Sequence, residues 1–502
     1  MMPRAFDTGS RSGNLLLMLI IFGALGARML QPLFLPGIAH PDETFQYLEP
    51  AYRMVYGHGL VPWEYRLGIR SWVIPGALIP VVALLKLVGA GPGATPFVTA
   101  LLVSSWSLTL VACGYLLGRR GAGPVGGLWA AGLVAFWPET AYFGAHLLAD
   151  GLGAVPLTAA VALIYRRHPT GVQAVLAGGC LALAAMIRPQ LAPAVLLAMF
   201  GATGVIWRRY VLYLVGAAPV VALFGATDWV TWGAPFISYV RYVQINGGGV
   251  AAAFGILPPG FYVTNALAVW SVGALLILAT AAAGAIRLPL LAGIAVCIVV
   301  TLSLVGHKEY RFVYPALPFV LTLSGTGTGM ILRRARQSFV SFRPLPSAIA
   351  AGMVWLAAAG LAATRPPLVE QVGRGVSMLR TARAVNDDPS ICGVALSPAG
   401  MWHMTGHSRL RSTLTVYQRS AGDDRSATPY NALIVYAETA DPQPVPPGYR
   451  ARGCFHGGAN LCVFVKPGGC AAVAGRPLLA TPSVATQQAL AKIGFAAPNG
   501  GW

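Results

Sequence analysis

Apolar runs of about 20 residues recur from Leu15 to about Ala363, and no other feature constrains this chain as strongly. A segment of that length buries all its backbone polar groups in helical hydrogen bonds, so repeated runs describe a helical bundle within a bilayer. Only 10% of the 502 residues are charged, against roughly 25% in an ordinary soluble domain. The chain therefore reads as a polytopic, all-α membrane protein.

Spans are expected near 14–36, 95–118, 122–138, 145–165, 171–187, 190–207, 209–228, 263–286, 288–306, 313–332 and 345–364, about 11 in all. The net charge of +19 does not point to nucleic acid, because the basic residues before the tail sit as short clusters between apolar runs, without interleaved aromatics. Those clusters are Arg4 with Arg11, Arg119-Arg120, Arg166-Arg167, Arg208-Arg209 and Arg333-Arg334-Ala335-Arg336. Cytoplasmic loops carry such excess, so all of them belong on one side. That parity holds only if the run Trp72–Gly89 does not cross the bilayer. It is read as an interfacial or re-entrant helix, broken by Pro75 and Pro80 and carrying Lys86. The first run follows basic residues, as a cleavable signal peptide would, but Leu15 to Leu35 is long enough to span and the parity requires it. The N-terminus is then cytoplasmic.

This topology puts His40–Ser71, Glu139, His146, Asp150, Arg188, the loop Asp228–Tyr262 and the stretch HKEYRFVYP (307–315) on the outer face. Nearly every carboxylate before the tail thus lies opposite the arginine clusters. A charge at mid-bilayer costs roughly 2.5–3.5 kcal/mol, so ionisable residues at span ends beside apolar walls face a cavity or one another. Solvated loop residues and loop-stapling ion pairs are the plain alternative, above all for Glu49, Glu64, Arg66 and Arg70. Asp42 and Glu43 stand apart: they adjoin a span end and lie among Phe45, Tyr47 and Trp63.

The segments HPDETFQYLEP (40–50), YGHGLVPWEYRLGIRSWVIP (56–75) and HKEYRFVYPALP (307–318) resemble glycosyltransferase family 22, and IRPQ (187–190) and the glycine-rich stretch 242–263 follow in the family's order. The family includes the mannosyltransferases of glycosylphosphatidylinositol anchors and of the lipid-linked asparagine glycan, and the resemblance covers about residues 14–335. It implies a GT-C bundle with interfacial helices in the first outer loop, a polyprenyl- or dolichyl-phosphate sugar donor, usually of mannose, and a glycan or glycolipid acceptor. By the same resemblance Asp42 is the general base, with Glu43 orienting the acceptor or replacing it. Lys308, Arg311, Arg188 and Arg70 hold the donor phosphate; His40, Gln46, Trp63, Glu64, His307, Glu309 and Asn246 contact substrate. The expected reaction is an inverting hexosyl transfer at the outer face, in a bacterial inner membrane with a periplasmic site. His and carboxylate groups in these segments could ligate a divalent ion, but no HExxH or paired CxxC occurs, and a lipid monophosphate leaving group needs little neutralisation, so no obligatory metal is expected. The alternative is a transporter or flippase of a lipid-linked saccharide.

Two domains are expected: a transmembrane catalytic domain, 1–364, with outer loops 37–94 and 229–262, and an extracytoplasmic domain, 365–502. The second alternates short apolar runs with Gly, Pro and Asp turns, as a small α/β or mostly β domain does, and 471–502 is expected to be poorly ordered. Its Cys392, Cys454, Cys462 and Cys470 allow three pairings in an oxidising compartment, a short-loop bridge among the last three being favoured. His403, His407, Asp423 and Asp424 are read there as scattered surface polarity, and GTGTGM (325–330) as close helix packing rather than a phosphate loop.

Overall fold

The computed structural model describes residues 11–34, 37–166, 168–204, 206–339, 343–397, 403–419, 427–437, 445–475, 478 and 482–495. Arg4, Arg167, Asp423 and Asp424 lie outside these. The described residues form two compact units: Met1–Leu33 with Leu101–Phe224 and Gly255–Val369, and Phe34–Ala100 with Gly225–Phe254 and Glu370–Trp502.

The first unit is a helical bundle. Among the described residues five helices are long and apolar enough to cross a membrane: Gly13–Phe34, Ala94–Phe136, Trp207–Trp232, Tyr310–Ser338 and Pro344–Ala363. Ala94–Phe136 is two helices joined at a kink, where Ala122 and Gly123 leave helical geometry ahead of Pro124. The other expected spans coincide with shorter apolar helices, Ala149–Ile164, Gly171–Ile187, Ala192–Thr203 and Pro289–Ser303, and with a pair, Phe261–Trp270 and Gly273–Ala285, bent by 111°. The protein is a multi-pass membrane protein. Several spans fall short of 20 residues because Pro189 and Pro289 cut the helices they follow or open, a proline disfavouring helix in the residue before it.

Small residues set the helix spacing in this bundle. A side chain at Gly327 would sit 1.9 Å from the Thr280 carbonyl oxygen, and one at Gly325 would meet the Ala130 backbone at 2.3 Å. The GTGTGM run is thus a packing surface, as expected. Its Thr326 and Thr328 hydroxyls donate to the carbonyls four residues back, at 2.7 and 2.8 Å, so both side-chain hydroxyls of the run are paired.

In the second unit the segment after the first span folds as a π-helical turn, Glu43–Leu48, and three helices, Glu49–Tyr56, Trp63–Arg66 and Val73–Leu87. The last corrects an expectation: Pro75 and Pro80 do not break it. Pro75 lies in the first turn, where its missing N–H has no intrahelical partner to lose, and the helix continues past Pro80 with one bond fewer. Likewise 229–262 is no open loop. The preceding helix reaches Trp232, and the chain goes on as helix Ile237–Gly247 and the 3-10 turn Val250–Phe254. The buried Asp228 carboxylate joins the two helices, its Oδ2 accepting the Ser238 N–H at 2.9 Å and hydroxyl at 2.6 Å.

The C-terminal part of this unit is α/β. Strands β1 (Val394–Ser397), β2 (Val416–Gln418), β3 (Ala432–Tyr436), β4 (Arg450–Phe455) and β5 (Leu461–Val465) form one sheet in the order β2-β1-β3-β5-β4. The pairs β1–β2 and β1–β3 are parallel; β5 runs antiparallel to both its neighbours. Alternation sends Val394 and Leu396 to a core shared with Met378 and Val385 of helix Val376–Asn386, and Ala395 to the opposite face beside Leu433 and Tyr430. Ile38, Phe45 and Leu60 of the segment after the first span enter that same core. Disulfides join Cys392 to Cys470 and Cys454 to Cys462. Within 471–502 the described residues include a helix, Val484–Lys492, whose Leu490 is fully buried.

Candidate active site

The segment HPDET turns tightly, and its two acidic side chains part company. Asp42 caps the π-helical turn with its side chain 17% exposed, and its Oδ1 lies 3.1 Å from His40 Nδ1. Glu43 is buried; its Oε1 accepts the Ala39 N–H at 2.9 Å, and its charge faces the Arg409 guanidinium, whose pKa burial lowers and Glu43 supports. Asp42 is therefore the accessible member of the pair. Glu43 is committed to holding the turn.

A second carboxylate stands near Asp42. Glu64 binds Arg70, Oε1 accepting from Nε at 3.1 Å and Nη2 at 2.5 Å, and it also accepts from Gln46 at 3.3 Å. The Tyr65 hydroxyl donates to the Gln46 carbonyl at 2.6 Å, and the Trp232 indole donates to the Arg70 carbonyl at 3.0 Å. Burial raises the Glu64 pKa above the usual carboxylate value; Arg70 opposes this, and the negative charge of Asp42 adds to it. Asp42, Gln46, Glu64 and Arg70 thus share one electrostatic neighbourhood. Trp63 does not open onto it: its ring is buried with Ile69, Ile245, Val250 and Leu490. Asn246 is exposed on helix Ile237–Gly247, its amide donating to the Tyr242 carbonyl at 2.8 Å.

Sequence reasoning missed the role of His407. Glu49, with no exposed surface, accepts the Leu60 N–H on Oε1 and the His407 N–H on Oε2, each at 2.8 Å, while His407 Nδ1 also contacts Oε1. Burial alone would raise the Glu49 pKa, but His407 and these backbone donors hold it below the ordinary value. A histidine among short polar residues gives no sequence signal for such a pair; only a buried Glu lacking a local partner would have hinted at it.

In the helical unit the expected outer-face residues also cluster. Asp150, in the first turn of Ala149–Ile164, is buried between two arginines, with Oδ1 2.8 Å from Arg188 Nη2 and Oδ2 3.2 Å from Arg311 Nη1. Glu309 takes Arg311 Nε at 2.8 Å and His307 Nε2 at 3.2 Å, and that hydrogen bond raises the His307 pKa. The ring of Phe312 stacks under both guanidinium groups, 4.5 Å from Arg188 and 5.0 Å from Arg311. Lys308 is buried, and its ammonium donates to the carbonyls of Val305, Leu257 and Gly306, the last two at 2.9 and 3.4 Å. Arg188 comes into place because Pro189 ends the helix Gly171–Ile187 just there.

Two further ionisable residues are buried: Glu139, which the sequence grouped with the outer-face residues, and Arg28, which it passed over. Glu139 accepts from the Tyr310 hydroxyl at 2.5 Å and from the indoles of Trp137 and Trp270 at 2.7 and 2.8 Å. Arg28, the sole charged residue in the first apolar run, donates to the carbonyls of Ala24 and Ala135 at 3.0 Å and of Val134 and Thr140 at 3.4 Å. Among the described residues no three His, Cys, Asp or Glu side chains gather as a metal site.

ArnT from Cupriavidus metallidurans bound to undecaprenyl phosphate has a similar fold, with a TM-score of 0.58 at 13% identity over 93% of this chain and all of that one. Its apo state gives 0.54 over 89% and 97%. These likenesses show a GT-C-type helical fold with a small C-terminal sheet domain. The chain belongs to the Alg9-like mannosyltransferase family, which matches residues 18–381. GPI mannosyltransferase 3 of Yarrowia lipolytica is 27% identical over 328 residues, 62% of this chain, and the chain spans 62% of that protein. The enzyme of the same name from Trypanosoma brucei brucei is 49% identical over 49 residues, 10% of this chain and 9% of its own length.

Proposed function

We propose that the protein moves a hexose, mannose first, from a polyprenyl-phosphate donor to a hydroxyl of a glycan or glycolipid acceptor on the extracytoplasmic side of a bacterial inner membrane. The observation that carries this reading is the family match, which spans both the Asp42 segment and the Lys308–Arg311 segment. Asp42 takes the proton from the acceptor hydroxyl, its accessible carboxylate being held by His40. The acceptor oxygen attacks the anomeric carbon, the bond from that carbon to the phosphate oxygen breaks, and the lipid phosphate leaves with the electron pair. Configuration inverts in this single displacement.

Lys308, Arg311, Arg188 and Arg70 remain the cations assigned to the phosphate. Arg188 and Arg311 share Asp150, whereas among the described residues Lys308 is held by carbonyls and contacts no carboxylate. His40, Gln46, Glu64, His307, Glu309 and Asn246 keep their assigned substrate contacts, and the transfer needs no divalent metal. One feature favours the flippase reading, the pair of helices bent by 111°, since transporters build sites from broken spans.

The test is purified protein in detergent with radiolabelled polyprenyl-phosphate mannose, a panel of acceptors and linkage analysis. Transfer that survives exhaustive chelation and disappears in Asp42→Asn is the expected result. No product with any acceptor, together with movement of lipid-linked saccharide across liposomes, would replace the enzyme by the transporter.

A further inference from the structure

The segment after the first span holds two arginines that the proposed reaction does not use. Arg70 pairs with Glu64, but neither Arg53, in the last turn of helix Glu49–Tyr56, nor Arg66, at the end of Trp63–Arg66, contacts a carboxylate among the described residues. Arg53 spends one nitrogen, Nη1, on the Gly59 carbonyl at 2.7 Å. Arg66 has Nε and Nη1 shielded from solvent with no acceptor among the described residues. The two guanidinium groups are close enough to repel, and this repulsion adds to burial in lowering the Arg66 pKa.

A shielded donor without an acceptor, beside a like charge, is a costly arrangement that a bound anion would relieve. Glu49, on the same helix as Arg53, is already engaged by Leu60 and His407. Helix Val73–Leu87 adds a third cation, Lys86, which lies 4.8 Å from the Tyr56 ring and donates to the Val55 carbonyl at 2.8 Å. The same helices expose Met54, Leu84 and Leu87 at 61%, 59% and 82%. Cations on helices that also expose apolar side chains suit an amphiphile better than a free ion, its phosphate on the arginines and its chains along the apolar surface.

We propose that Arg53 and Arg66 form a receptor for the phosphate of a lipid headgroup, separate from the cations assigned to the sugar donor. This site stands whether or not the chain transfers a sugar. The full-length protein in detergent is titrated with dioctanoyl phosphatidate, dioctanoylglycerol or inorganic phosphate, with binding read by native mass spectrometry. Phosphatidate binds the parent protein, and the double variant R53Q/R66Q weakens it about tenfold or more, as loss of charge-assisted hydrogen bonds requires. R53Q alone weakens it less, and R66K, which keeps the charge, recovers most of the affinity. Unchanged binding in the double variant, or equal binding of dioctanoylglycerol, overturns the proposal. Displacement of phosphatidate by an equal concentration of inorganic phosphate overturns the lipid assignment and leaves a site for free phosphate.

Discussion

The Glu49 carboxylate accepts the backbone N–H of His407 at 2.8 Å, across 358 positions of the sequence. The segment after the first span and the C-terminal α/β fold are therefore joined through a buried charge, in addition to the apolar core they share.

Removing one member of such a pair leaves the other uncompensated. Glu49→Ala should cost about 3–5 kcal/mol, as breaking buried ion pairs does. Thermal unfolding of the detergent-solubilised protein measures this, and a loss below 1 kcal/mol would show that the pair carries no stability. The pH dependence follows from the depressed Glu49 pKa. A carboxylate whose folded value lies below its unfolded 4.5 adds stability above that pH, and loses it as pH falls through the folded value. Wild-type unfolding should steepen in that acidic window, and Glu49→Gln should lack the effect.

Asp42 and Glu43 should separate by assay. Asp42→Asn is expected to lower transfer by roughly 10²–10⁴ with little change in melting temperature, since its side chain is part-exposed and a general base contributes about that much. Glu43→Gln should do the reverse and destabilise, because the Glu43 charge faces the buried Arg409. Equal melting temperatures with equal activities would remove the distinction.

Asp150 carries two arginines at once. In Asp150→Ala both guanidinium groups lose their shared anion, and folded yield should collapse; Asp150→Asn keeps the shape and should fold with reduced stability. Adding Arg188→Met to Asp150→Asn should restore part of the loss. A double variant no better than the single one would mean that Arg188 does not depend on Asp150.

The two disulfides close chain separations of 78 and 8 residues. On the loop-entropy account, losing Cys392–Cys470 should destabilise by about 2 kcal/mol more than losing Cys454–Cys462. Serine variants compared by protease susceptibility of the C-terminal fold test the order.

Much of the bundle was legible because a bilayer demands long apolar helices, and GTGTGM could be read as packing because glycine permits what larger residues forbid. The HPDET and HKEYRF segments stood out as charge beside apolar walls. What escaped were relationships rather than residues. Nothing near His407 announces Glu49, and Glu139 draws its three donors from Trp137, Trp270 and Tyr310, which lie far apart in the chain. Pro75 misled because a proline in the first turn lacks an N–H that would have had no intrahelical partner, and Pro80 because a helix can run through a proline at the loss of one bond. Glu43 looked equivalent to Asp42 because adjacency in sequence carries no information about which of two neighbours turns inward.

The Arg28 guanidinium donates through both Nη1 and Nη2 to carbonyls, two of them in the last turn of the helix ending at Phe136. A generic leucine-rich anchor grafted in place of Arg11–Phe34 would still tether the chain to the bilayer, yet would strip those carbonyls of their donor. Chimeras that exchange this segment should therefore insert and then fail to assemble, marking it as an integral strut of the bundle.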